Sequence, residues 1–294
     1  MRHHGYRMLL GPRRLRLVYR TIGHVLLAST IAAGGILAAP HATGLPLLPQ
    51  DPAARGSDCG EDSDPDPLWL DVKDATPQKL GNNVKVVFVA KTSSGKEYGY
   101  AVHDGQRGGP AKTKYDYLLI PTIREKGIEC HRIWEPGALN LFGYAFDELG
   151  ILPPGTDWAL GIESAENRSH DQLHIHISRL ADGVRKDLDA AEVGKGITTD
   201  VKQWSGDHIT VKGRTFRALR NPNPKGLWDH NVFDTLAVFV APNNPPGTKQ
   251  GEPSMESQTL LITKSSKGGL IAIVSDKSLH DGANNIEFLL NKNV

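Results

Sequence analysis

Gln172-Leu173-His174-Ile175-His176-Ile177-Ser178 alternates polar and apolar side chains without a break, and its reading decides how the rest of the chain is organised. A period of two belongs to a strand with one face in a core. Leu173, Ile175 and Ile177 are expected to face that core, with Gln172, His174, His176 and Ser178 on the other side. A slightly earlier start adds His170 to the polar face. Alternate strand residues stand about 7 Å apart, so the imidazoles form a row whose spacing suits a phosphate or a metal ion. Ser169 precedes the run, and Arg179, Arg185 and Lys186 follow it. Hydroxyl, imidazole and cations together point to phosphate chemistry. The chain holds twelve histidines, so the competing reading is an exposed face that carries two of them by chance.

Outward from that strand the pattern is of mixed elements. Val84 to Val89 is β-branched, and Glu97 to Val102 reads as its hairpin partner. Tyr115 to Ile120 is a buried strand ended by Pro121. Pro136 opens an amphipathic helix over Gly137 to Leu149. Trp158 to Ile162 is expected to pair antiparallel with Leu173 to Ile177, and Asp182 to Ala191 reads as a short helix. His208 to Val211 and Arg214 to Leu219 are strands around Gly213. Val232 to Val240 is apolar, Gly247 to Pro253 is a loop, and Thr259 to Ile262 pairs with Leu270 to Val274. Asn284 to Leu290 is a helix or a strand. The sum is an α+β fold. No Gly-rich phosphate loop, zinc-ligand spacing or internal repeat occurs.

A formal net charge of +1 over 294 residues gives no argument for a nucleic-acid partner. The N-terminus carries more information. Arg7, Arg13, Arg14, Arg16 and Arg20 precede an apolar stretch from Ile22 to Ala39. A basic flank before such a stretch marks residues 1–42 as a signal anchor or a signal peptide. Residues 43–75 read as a linker, and 76–294 as the folded domain. The arginines stay cytoplasmic, so the domain lies outside the cytoplasm, membrane-anchored, or secreted if the segment is cleaved. Cys59 and Cys130 are the only cysteines and both follow that segment. Beyond the cytoplasm a disulfide between them is expected, with two unrelated thiols as the alternative.

The run at 172–178, the strand Tyr117-Leu118-Leu119-Ile120-Pro121-Thr122, the helix start Pro136 to Asn140, and Gly183-Val184-Arg185-Lys186 together resemble the CDP-diacylglycerol pyrophosphatase family of the histidine-triad (HIT-like) superfamily. The likeness spans roughly residues 80 to 220 and extends weakly to the C-terminus. It implies an antiparallel sheet with helices on one face, and hydrolysis of CDP-diacylglycerol to CMP and phosphatidate at a membrane surface without a metal or other cofactor. Carried over by position, His174 is the nucleophile and His176 binds non-bridging phosphate oxygens. Ser169 supplies a hydroxyl near the phosphate or leaving group, and Gln172 stands where the motif has its first histidine. Arg185 and Lys186 are implied for the second phosphate, Asn140 and His170 for substrate contact. Glu163 lies near a position where the family commonly has asparagine.

Three other readings stay open on the sequence, one of them a degenerate, inactive triad protein for which Gln172 is the only support. His176-Ile177-Ser178 and His208-Ile209-Thr210 each fit the His-apolar-Ser/Thr element of two-histidine phosphodiesterases, where one imidazole is general base and the other general acid. Alternatively, His174 and His176 chelate a transition metal in an exported binding module. Oligomeric state is not legible.

Overall fold

The computed structural model describes residues 57–105, 115–194, 196–244, 249 and 251–292. The expected N-terminal signal segment, 1–42, and much of the expected linker lie outside the described residues. Within the stretch read as linker, helix α1 (Pro67–Val72) buries Leu68, Trp69 and Val72. Asp66 caps it by accepting from the Trp69 N–H at 3.0 Å, and Pro67 opens the first turn, where its missing donor costs nothing.

The elements then run β1 (Asn83–Lys91), β2 (Glu97–Asp104), β3 (Asp116–Pro121), α2 (Leu141–Asp147), β4 (Trp158–Ile162), β5 (Ile175–Leu180) and α3 (Val184–Val193). They continue with β6 (His208–Val211), β7 (Arg214–Asn221), α4 (Gly226–Asp229), α5 (Val232–Phe239), β8 (Thr259–Lys264), β9 (Leu270–Ser275) and β10 (Leu290–Asn291). One antiparallel sheet takes nine strands in the order β1-β2-β3-β5-β4-β8-β9-β7-β6, with β10 paired to β5 beside β3. The α+β class therefore holds. Lys212 and Gly213 both take positive φ (51° and 74°) in the two-residue turn between β6 and β7, the conformation that matches strand twist there.

The family resemblance implies helices on one face of the sheet; here both faces are covered. On one face Leu160, Ile162, Ile175, Ile177, Leu260 and Ile262 pack with Leu141 and Phe142 of α2 and Phe233 and Leu236 of α5. On the other face, α1 packs over Val86, Ala101, Leu118 and Ile120. Beside it, α3 and the segment Ala283 to Leu290 pack over Ala159, Leu261, Ile271 and Ile273. The second layer corrects the expectation for residues 172–178. Their polar face is not solvated: Gln172 and Ser178 are fully buried, and His174 and His176 are 7% and 4% exposed. Regular pairing also begins later than expected, at Ile175, because Gln172 bridges Lys126 of the loop after β3 instead of joining the ladder.

Candidate active site

Alternation along β5 and its neighbours places a polar row across the second face. His103 lies opposite Leu118, Leu118 opposite His176, and His176 opposite Gly161. One step along, Asp116 faces Ser178. The site thus sits between the α1 patch and the C-terminal patch. Gly161 makes the second patch possible: a Cβ there would stand 3.3 Å from Ile286, in the segment that borders His176.

His174 and His176 have rings 5.3 Å apart, nearly perpendicular, yet their surroundings differ. His174 Nδ1 donates to the Gln172 carbonyl at 2.8 Å, which fixes the tautomer and leaves Nε2 with its lone pair. Burial, the neighbouring His176 and His170 and the charge of Lys292 push its pKa down to about 3, against the hydrogen bond to Gln172. The ring is therefore neutral throughout the physiological range. His176 is set between two carboxylates: its Nδ1 lies 3.3 Å from Asp116 Oδ1 and its Nε2 3.7 Å from Glu287 Oε1. Burial raises the Asp116 pKa, but the hydrogen bond and charge of His176, with Lys292 and His174, hold it below the ordinary value. His176 Nε2 and the Ser178 hydroxyl are buried without a hydrogen-bond partner among the described residues.

Gln172 does not face the reacting groups. Its Oε1 accepts from Arg124 Nη1 at 2.8 Å and the Glu125 N–H at 3.3 Å. Its Nε2 donates to the carbonyls of Pro121 and Ile123. A buried amide with both ends engaged pins the β3–α2 loop beneath the histidines. Arg124 continues the lock to Asp64, and the disulfide Cys59–Cys130 ties the segment before α1 to the same loop. His170 stands 6.3 Å from His174, ring to ring, and 3.9 Å from Asp66. Ser169 is exposed in the same loop.

Three other expected site residues lie apart from this row. Arg185 binds Asp157 through Nε and Nη2, Thr263 through Nη2, and the Lys264 carbonyl through Nη1, so its guanidinium holds α3 to β8 and the β4 entry. Lys186 is exposed on α3. Asn140 caps α2 on the opposite face, accepting from Gly143 N–H and donating to the Leu227 carbonyl. What the sequence reading missed is Asp116, Glu287 and Lys292. Asp116 had a signal, since it shares the parity of Leu118 and Ile120 in a buried strand. Glu287 and Lys292 had none, because their place depends on a chain return from more than a hundred residues away. Glu163, noted only as a departure from family habit, accepts through Oε1 from the N–H groups of Ile286 and Glu287.

The competing chemistries fare differently. His208 stands exposed on the edge strand β6, five strand steps from β5, or about 24 Å. It cannot share a phosphorus with His176. Among the described residues, three metal-binding side chains converge only at Asp58, Cys59 and His131, where the Cys59 sulfur is already in the disulfide.

Residues 63–293 match the profile of the CDP-diacylglycerol pyrophosphatase family. The chain belongs to that family. It is thereby a hydrolase acting on the diphosphate of CDP-diacylglycerol. A probable CDP-diacylglycerol pyrophosphatase of Mycobacterium leprae (strain TN) is 26% identical over 241 residues, covering 74% of this chain and 81% of the relative. A CDP-diacylglycerol pyrophosphatase of Yersinia pestis is 30% identical over 187 residues, covering 59% and 63%. The histidine row and the residues that touch it, from Asp116 to Lys292, fall within the matched span of the pyrophosphatase family.

Proposed function

We propose that His174 carries the hydrolysis as a covalent nucleophile in a HIT-like site. The observation that supports this is its hydrogen bond from Nδ1 to the Gln172 carbonyl, which turns an unprotonated Nε2 away from the strand. Nε2 attacks the α-phosphorus of the CMP moiety, an N–P bond forms, and the bond to the bridging oxygen breaks with that electron pair leaving on phosphatidate. Water then attacks the same phosphorus, the N–P bond breaks, and CMP departs. Imidazole suits both halves, being nucleophilic when neutral and a good leaving group once protonated. His176 binds a non-bridging oxygen, with Asp116 orienting its ring. Gln172, in place of a first triad histidine, acts as a positioning residue through the loop it holds and the carbonyl it presents. Ser169 and His170 line the entrance beside His174. Lys186 would reach substrate only at its periphery, while the Arg185 guanidinium is taken up by Asp157 and Thr263 and Asn140 caps α2 on the opposite face of the sheet.

The lipid substrate fits the reading of residues 1–42 as an anchor or export signal, with 76–294 acting at a membrane surface outside the cytoplasm. No helix among the described residues is long and apolar enough to cross a membrane. The test is CMP release from CDP-diacylglycerol in mixed micelles by the full chain and by His174→Ala, each with and without EDTA. Chelator-resistant release that vanishes in the variant, with a phosphohistidine-type adduct trapped on the unsubstituted chain, is the expected result. Release that survives in His174→Ala would sink the nucleophile assignment.

A further inference from the structure

The last turn of the chain brings an ion pair to the histidine row. Glu287 Oε1 lies 2.5 Å from Lys292 Nζ and 3.7 Å from His176 Nε2, so one carboxylate oxygen faces both an ammonium and an imidazole nitrogen. That nitrogen is buried and has no hydrogen bond of its own among the described residues. The same surroundings would serve a non-bridging phosphate oxygen. The Glu287 side chain is 47% exposed, against 5% for His176, so it can swing outward into water while the imidazole stays in place. Its backbone need not follow, because the Glu287 N–H is held at 3.0 Å by Glu163 and at 2.7 Å by Asn285.

We propose that Lys292 and His176 are ligands of a substrate phosphate, and that the Glu287 carboxylate holds their place until the diphosphate displaces it. The inference rests on the hydrolytic site proposed above and adds to it a cation from the C-terminus. Charge decides the argument. A diphosphate entering beside Asp116, Glu163 and Glu287 meets three carboxyls, and Lys292 is the cation whose field reaches His174, Asp116 and Glu163 together. Were Glu287 to remain, it would repel the phosphate oxygens; once it swings out, the ammonium and the imidazole each exchange a carboxylate oxygen for a phosphoryl oxygen. No bond is made or broken in this step.

Two halves of one ion pair then have opposite effects, which a purely structural pair cannot produce. Lys292→Gln should raise KM for CDP-diacylglycerol roughly 10- to 100-fold, the worth of one charge-assisted hydrogen bond, with a smaller loss in kcat. Lys292→Arg should restore most of it. Glu287→Gln should lower KM about threefold, since a competing exposed anion is gone, and should tighten CMP protection against thermal unfolding. A Lys292→Gln chain with an unchanged KM overturns the proposal, as does an equal rise in KM from both substitutions. Melting temperature is read alongside: an equal loss in both variants with KM unchanged also overturns it and leaves the pair as a tether. His174→Ala separates the two readings. If it keeps turning over, the nucleophile assignment fails by itself, while the opposed shifts in KM still report on Lys292.

Discussion

The two flanks of the histidine row are held by different physics. On the α1 side the fastenings do not depend on pH within the physiological range: a disulfide, a fully bonded amide at Gln172, and the Arg124–Asp64 pair. The loop before the motif is also fastened, with Arg168 forked onto Glu129 at 2.6 Å to each oxygen and Asp66 accepting from the Asp171 N–H. On the C-terminal side the ties are ionisable: buried Glu163 to the backbone of Ile286 and Glu287, and half-exposed Glu287 to Lys292 and to His176. One flank fixes where His174 stands. The other can answer to charge, whether a proton or a phosphate. The proposed nucleophile needs the first, and the proposed exchange of carboxylate for phosphate needs the second.

The largest expected effect lies between the flanks. His174→Ala should cost at least about a thousandfold in kcat with little change in stability. Because the ring is neutral down to a pKa of about 3, acid should not silence the nucleophile near pH 6.5. An acid limb of kcat/KM there would have to come from another group, and one that stays in His176→Asn would exclude His176 as its source. Next in size is the rigid flank. Cys59 and Cys130 are 71 residues apart, for which loop-closure entropy gives about 4 kcal/mol; Cys130→Ser should lower stability by that order in urea unfolding. Gln172→Leu should cost about 3 kcal/mol, since it leaves the Arg124 donor and two buried carbonyls without partners. If kcat survives in Gln172→Leu, the carbonyl is held by backbone pairing alone and the amide is only structural.

How far the sequence reaches follows the same division. Period-two alternation located β5, and β-branched or aromatic runs located β1, β2, β3, β4 and the β8–β9 hairpin, because each depends on local patterning. His174 and His176 were legible on the same ground. The rigid flank was half legible: two cysteines beyond an export-like segment suggested the disulfide, but nothing local showed that Gln172 would leave the ladder to grip the β3–α2 loop. Arg185 looked free to bind phosphate because it follows the motif closely; Asp157 and Thr263, which occupy it, come from strands that only the sheet order brings together. The responsive flank was not legible. Residues 284–290 carry no clear period, and they fold as a 3-10 turn (Glu287–Leu289) running into the two-residue β10. Their course is set by Gly161 and Glu163, so it is decided by tertiary contact alone.

The smallest expected effect tests the responsive flank most directly. Burial raises the Glu163 carboxyl to about 7; the N–H groups of Ile286 and Glu287 work against that shift and the charge of Glu287 adds to it. Its Oε2 is buried without a hydrogen-bond partner among the described residues. An acid whose folded pKa lies above its unfolded value of about 4.5 binds its proton more tightly when folded. Its stabilising effect is therefore complete below pH 4.5 and declines as pH rises through 7, by at most about 3 kcal/mol. Glutamine keeps an oxygen for both N–H groups and removes the charge. Glu163→Gln should thus match the unsubstituted chain near pH 5 and exceed it in stability at pH 8. Hydrogen exchange at Ile286 and Glu287 should slow at pH 8 in the variant by the same factor. Glu125, fully enclosed and likewise raised to about 7 by burial, is the control, because its contacts lie on the rigid flank. Glu125→Gln should also flatten the global pH dependence but leave exchange at Ile286 and Glu287 no slower than global unfolding requires. If both variants change C-terminal exchange alike, the two flanks open together and the contrast between them does not hold.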